Sequence, residues 1–197
     1  TDTARIAALT SITSTDGIII DIPANYQEEK SLTLQIKSSS AGISFGHIVI
    51  IARTNSKITL ITDQEGNETS SIKISIFVEK DAQLNHIATT SESAKTQFSQ
   101  HRYYVAERGQ VTHIDTNKAA YQGERSIQTY LEGAFSKAEH YHLSVLSSKA
   151  KYDLQSVVTH SAPNTTSGIF ARAVLDDQSH MIYRGMINVE DGARDSI

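Results

Sequence analysis

The stretch Ile72-Lys73-Ile74-Ser75-Ile76-Phe77-Val78-Glu79-Lys80-Asp81-Ala82 places Ile72, Ile74, Ile76 and Val78 at every second position and then breaks into charge. Alternation at period two marks a strand with one buried face, because successive side chains of a strand point to opposite sides. Leu32, Leu34 and Ile36 alternate with Thr33, Gln35 and Lys37 in the same way. Further short runs of this kind fall at residues 17–22, 47–52, 57–62, 110–115, 126–131, 140–146, 152–160, 168–175 and 180–189. Their abundance of Ile, Val and Thr suits a pleated surface. Of the two stretches that look helical, residues 3–9 are short and weakly amphipathic, and residues 88–95 lack an apolar face and read as an exposed connection.

The charged break recurs. Val78-Glu79-Lys80-Asp81-Ala82 is followed by Val105-Ala106-Glu107-Arg108-Gly109, Leu131-Glu132-Gly133-Ala134 and Val189-Glu190-Asp191-Gly192-Ala193. Ala82 to Gly109 is 27 residues and Gly109 to Gly133 is 24, with about two strands in each interval. A period in the range of roughly 20–50 residues belongs to repeat architectures, and a parallel β-solenoid would stack its inward residues into ladders that bury a core without helices. Coils of ~25 residues would give roughly seven turns. A β-sandwich, with its own frequent turns, is the competing all-β reading.

The chain of 197 residues carries 18 Lys and Arg against 22 Asp and Glu, a net charge of -4, and is 39% hydrophobic. That is enough apolar material for one domain, and no run of 18 apolar residues offers a membrane span. A slightly acidic surface lacks the basic footprint of a nucleic-acid or anionic-membrane partner. With no Cys, disulfides, thiolate nucleophiles and cysteine-ligated clusters on this chain are excluded. The start, Thr1-Asp2-Thr3-Ala4-Arg5, has neither Met nor the apolar segment of a signal peptide, which fits a fragment or a trimmed chain, and the redox compartment stays open.

Motifs for chemistry are few. Gly42-Ile43-Ser44-Phe45-Gly46 matches the nucleophile elbow, but that motif needs a helix after the serine, and His47-Ile48-Val49-Ile50-Ile51 reads as a strand. His140 and His142 share one strand face and are weak candidates for a metal, with no third ligand nearby in sequence; they read as an exposed pair on a polar face. His47, His86, His101, His113, His160 and His180 are scattered and carry no assignment. Glu28-Glu29, Asp176-Asp177 and Glu190-Asp191 are paired acids of the kind glycosidic or lyase chemistry would use, but they sit beside turn residues.

The most specific feature is carboxyl-terminal. The run His160-Ser161-Ala162-Pro163-Asn164-Thr165-Thr166-Ser167, then Ala173-Val174-Leu175-Asp176-Asp177, Tyr183-Arg184-Gly185-Met186-Ile187-Asn188-Val189 and Gly192-Ala193-Arg194-Asp195-Ser196, resembles the core signature of the SufB/SufD family of iron–sulfur cluster assembly proteins. Asp16-Gly17-Ile18-Ile19-Ile20-Asp21-Ile22-Pro23 with Leu32-Thr33-Leu34-Gln35-Ile36 resembles the family's entry into its β-helix. The resemblance implies an all-β, right-handed parallel β-helix in a single domain, with residues 1–15 as a lead-in and 16–197 as a core truncated at its carboxyl-terminal end. It also implies a non-enzymatic scaffold, a SufC-like ABC-type ATPase and a second SufB/SufD-like protomer as partners, and an iron–sulfur cluster in the assembled complex but no cofactor on this segment.

In the family, the assembly histidine and cysteine and the helices that dock the ATPase lie beyond the point where this sequence stops. The absence of core cysteines resembles the SufD-type role. The signature residues have bland physical readings: Pro163 makes a corner after His160, Thr166 and Ser167 bond backbone groups at the next strand entry, and Gly185 lets stacked coils approach. Gly192 and Ala193 belong to the same structural set. A carbohydrate-active β-helix enzyme is the alternative function, and an adhesin-like or capsid-like solenoid a third.

Overall fold

A computed structural model describes residues 10, 17–37, 42–66, 68–90, 96–119 and 122–197. Seven strands form one sheet in the order β1 (Gly17–Ile22), β3 (Ile43–Ala52), β5 (Thr69–Val78), β7 (Thr96–Val105), β9 (Gln122–Leu131), β11 (Lys151–His160) and β13 (His180–Val189). Six form the second: β2 (Leu32–Lys37), β4 (Lys57–Glu65), β6 (Gln83–Thr90), β8 (Gln110–Ala119), β10 (Lys137–Leu146) and β12 (Thr166–Leu175). Every pairing is parallel and joins strands two apart in sequence. The chain therefore alternates between sheets and climbs one rung per coil, which is a parallel β-solenoid and excludes the sandwich. The helical reading of residues 3–9 lies outside the described residues; of 88–95, residues 88–90 end β6 and 91–95 lie outside the described residues.

Ile43 stands opposite Thr69, Thr69 opposite Thr96 and Thr96 opposite Gln122, steps of 26, 27 and 26 residues. Later steps, Gln122 to Lys151 to His180, are 29 each. Coils are thus longer than the expected 25, and the thirteen strands make about six turns instead of seven. The interval of 24 was a misalignment: the register Gln110↔Lys137 makes Ser136, not Gly133, the counterpart of Gly109. Between Val105 and Gln110 the corner has four residues, and between Leu131 and Lys137 it has five. The N–H groups of Glu132 and Gly133 both reach the carbonyl of Val105, at 3.0 and 3.2 Å, a bulge that absorbs the extra residue. A Cβ at Gly133 would fall 1.9 Å from the Glu107 nitrogen, so only glycine fits.

At this corner one non-glycine residue per coil, Asn25, Asn55, Asp81, Arg108, Phe135, Asn164 and Asp195, has positive φ. From Asn25 to Asn164, the N–H of each donates to a carbonyl of the next coil, as in Asn55 to Lys80 at 3.0 Å and Asp81 to Glu107 at 3.0 Å. Asn and Asp tolerate this conformation best; at Arg108 and Phe135 the inter-coil bond offsets a cost of about 1–2 kcal/mol. On the outside, Phe77, Tyr104 and Tyr130 stack in register at 5.0 and 5.3 Å, each contact worth about 0.5–1.5 kcal/mol.

The interior at the amino-terminal coils is aliphatic: Ile48, Ile50, Leu60, Ile74, Ile76 and Val78 are all buried, each stabilising by about 1.5–3 kcal/mol. β6 and β7 are the two strands that alternation missed. Their inward residues are Leu84, His86, Ala88 and Thr90, and Gln97, Ser99, His101, Tyr103 and Val105, so the period of two is present but not carried by apolar side chains.

Candidate functional site

The central coils fill the interior with polar groups. One inward column of the six-stranded sheet runs Leu60, His86, His113, His140, Ile169 in strict register. Facing it, β7 supplies His101 and Tyr103 and β9 supplies Arg125 and Thr129, while β8 and β10 add Asp115 and His142 two residues further along. All nine side chains from His86 to His142 in this set are at most 3% exposed. Aliphatic residues bracket them along the axis: Leu60 and Ile169 about the histidine column, Ile74 and Ile127 about His101, Leu154 beyond Arg125.

Most of these groups are bonded across the two sheets. His86 Nδ1 lies 2.6 Å from the Tyr103 hydroxyl and its Nε2 2.9 Å from Thr62 Oγ1. His140 Nε2 meets Thr129 Oγ1 at 2.9 Å, and His142 Nε2 meets Ser156 Oγ at 3.1 Å. Arg125 donates to Ser99 Oγ at 2.7 Å, to Thr90 Oγ1 at 2.8 Å and to the Asp115 carboxylate, which also lies 3.8 Å from His142 Nδ1. Three nitrogens, His101 Nδ1, His113 Nε2 and His142 Nδ1, have no hydrogen-bond partner among the described residues. A buried polar atom left unpaired costs about 1–3 kcal/mol.

Burial sets the protonation. It pushes His86 and His140 down to about 3, helped by Arg125 at His86 and by His142 at His140, and it holds His101 and His113 well below the usual imidazole range. The Tyr103 phenol is pushed up for the same reason. Burial acts to raise Asp115, but Arg125 and His142 outweigh it and hold the carboxyl below its ordinary value. At neutral pH the core therefore contains one ion pair and at least four uncharged imidazoles. Uncharged imidazole is the ligand form for transition metals, and nitrogens of His86, His101 and His113 all lie within 4.8 Å of one another.

His140 and His142 share a face as expected, but that face is the interior: their exposures are 0 and 3%, while Glu139 between them points outward. The exposed-pair reading is corrected, because inward positions of β10 alternate as Ala138, His140, His142, Ser144 and Leu146. His113, invisible as a neighbour in sequence, packs edge-on against both rings at 5.5 and 5.9 Å.

His160 is buried and held by Thr165 Oγ1 at 2.6 Å and Ser167 Oγ at 2.8 Å, so Ser167 serves the imidazole and not a backbone group. Thr166 is exposed, and its neighbour Thr165 makes the backbone contact, to Ala162 O at 3.2 Å. Pro163 stands in the turn after His160, as expected. The atoms nearest a Cβ at Gly185 belong to the ring of Tyr183 on its own strand, the hydroxyl at 2.7 Å, while among the described glycines the tightest approach to a neighbouring coil is at Gly133. Gly192 has positive φ and Ala193 is buried at the last corner. Ser44 lies within β3, so the elbow motif is strand, and the paired acids sit in turns and loops of separate coils.

The family model described as the SUF system FeS cluster assembly, SufBD core domain, matches residues 34–197. Curated proteins named "Iron-sulfur cluster assembly SufBD family protein" from Staphylococcus epidermidis and Staphylococcus haemolyticus are each 24% identical over 204 aligned residues. A protein of the same family name from Staphylococcus aureus shows the same identity. In each case the match covers 98% of this chain and 44% of the relative, so the chain spans less than half the length of these proteins.

Proposed function

The chain belongs to the SufBD family of iron–sulfur cluster assembly proteins, and from that membership we propose that residues 16–197 form the core of a cytoplasmic, non-enzymatic scaffold. The observation that carries this reading is the extent of the family match, which runs from β2 to the last residue. In this reading ATP hydrolysis takes place on a SufC-like ABC-type ATPase, and a second SufB/SufD-like protomer completes the assembly. The iron–sulfur cluster is cargo of the complex. With no cysteine in 197 residues, this core has no thiolate to accept sulfur, which favours the SufD-type role.

The test is co-purification. Full-length protein, tagged and co-expressed with the ATPase and a SufB-like protomer, should retain both, and the 197-residue chain should not retain the ATPase. After anaerobic incubation with iron and sulfide, the 197-residue chain alone should hold no acid-labile sulfide. ATP hydrolysis by the purified chain, or full-length protein that retains neither partner, would overturn the scaffold reading.

A further inference from the structure

We infer that His86, His101 and His113 form a mononuclear binding site for a first-row transition-metal ion inside the solenoid. The inference goes beyond the assembly role and does not depend on it. Three imidazoles from β6, β7 and β8 converge from both sheets, with ring centroids 5.2 to 5.5 Å apart. One nitrogen from each lies within 4.8 Å of the other two. Packing alone does not require this, since Leu60, Ile74, Ile127 and Ile169 fill the adjoining rungs of the same columns. What the site holds that a packed core would not is nitrogen without a partner: His101 Nδ1 and His113 Nε2 are buried and make no hydrogen bond among the described residues.

The donor set chooses the ion. Three neutral imidazoles with no carboxylate among them suit Zn(II), Co(II) or Fe(II), and not the hard cations Mg(II) or Ca(II), which take oxygen. Zinc–imidazole bonds of about 2.0–2.1 Å place tetrahedral ligand nitrogens roughly 3.3 Å apart, so the rings must close by about 1.5 Å at most. His86 is the ring that must exchange a bond, since its nitrogens now meet Tyr103 and Thr62. The Tyr103 hydroxyl, 2.6 Å from His86 Nδ1, is the oxygen at hand for a fourth position. Because all three rings are at most 2% exposed, the ion must enter while the coils assemble.

The experiment loads the 197-residue chain during synthesis, in cells grown in minimal medium supplemented with Zn(II) or with Co(II). After purification and dialysis it should contain close to one metal per chain. X-ray absorption should show three imidazole nitrogens at about 2.0–2.1 Å. Less than a tenth of an equivalent, or a first shell without imidazole, would overturn the site with no variant needed. His101→Gln and His113→Gln should each lower metal content at least tenfold while His160→Gln leaves it unchanged, with circular dichroism identifying folded variants. A folded His101→Gln or His113→Gln that keeps its metal would also overturn the site. A metal-free chain whose full-length form still co-purifies with the ATPase would sink this inference and leave the scaffold reading standing.

Discussion

His113 and His140 approach Nδ1 to Nδ1 at 3.4 Å, on neighbouring strands and 27 residues apart. Two imidazole nitrogens can share one proton but not two, so one ring must keep Nδ1 protonated and the other bare. With His113 as donor, its Nε2 presents a lone pair to the interior. Charging both rings would set two protonated nitrogens against each other in an interior closed to water, beside further imidazoles.

That frustration predicts acid lability. In the unfolded chain these imidazoles titrate near pH 6.5, while in the folded chain burial keeps His86 and His140 neutral down to about 3. Between those values the unfolded state binds more protons, so stability falls as pH falls. Each such ring should cost about 2 kcal/mol between pH 6.5 and 5, with His101 and His113 adding to the same slope. Urea unfolding across pH 7.5 to 5 checks this; a flat profile would show that the rings charge in the folded state.

The Arg125–Asp115 pair should behave as a unit. Arg125→Met leaves a buried carboxylate without its cation, with His142 as the nearest remaining polar group, and should destabilise by about 3–5 kcal/mol. Adding Asp115→Leu should recover most of that loss. A double variant no more stable than the single would place the contribution of Arg125 in its bonds to Ser99 and Thr90 instead.

Gly133→Ala should cost about 3 kcal/mol or more in denaturant unfolding, because the added Cβ strikes main chain and no side-chain movement relieves it. Gly192→Ala is the control. Nothing lies within 4 Å of its Cβ position, and the penalty should be that of positive φ alone, about 1–2 kcal/mol.

The last rung should drive self-association. β12 and β13 end their sheets, and Phe170, Val174, Ile182, Met186, Ile187 and Val189 are all at least half exposed there. An apolar strand with unpaired backbone groups is a template for another chain. Light scattering of the 197-residue chain should rise with concentration, and Ile182→Lys/Ile187→Lys should suppress the rise. An unchanged profile would move the contact elsewhere.

The architecture was legible where chemistry and periodicity coincide. Ile72, Ile74, Ile76 and Val78 announce an inward face because their apolar side chains mark it, and all four are buried. The polar core was not read, although its signal was present: His86, His113 and His140 recur at 27 residues, the same step as Ala82 to Gly109. Each also continues the phase of a buried apolar residue two positions earlier, Leu84, Val111 and Ala138. Two hydrogen bonds to neighbouring hydroxyls make histidine at home in such a column, and hydrophobicity patterns are blind to that. His101 and Arg125 had no signal of this kind, since what brings them in is the facing sheet.

The bracketed polar core also bears on how the coils find their alignment. Isoleucine ladders are nearly interchangeable: a strand that slid by two residues would still set one aliphatic side chain on another. Sliding β8 by two would instead carry Asp115 opposite His86 and away from its place beside His142 and Arg125, stranding a carboxylate and a guanidinium in the dry interior. Mis-threaded stacks are thereby penalised at the middle of the molecule. The histidine rung serves as a key that fixes the step of 27 residues from β6 to β8 to β10.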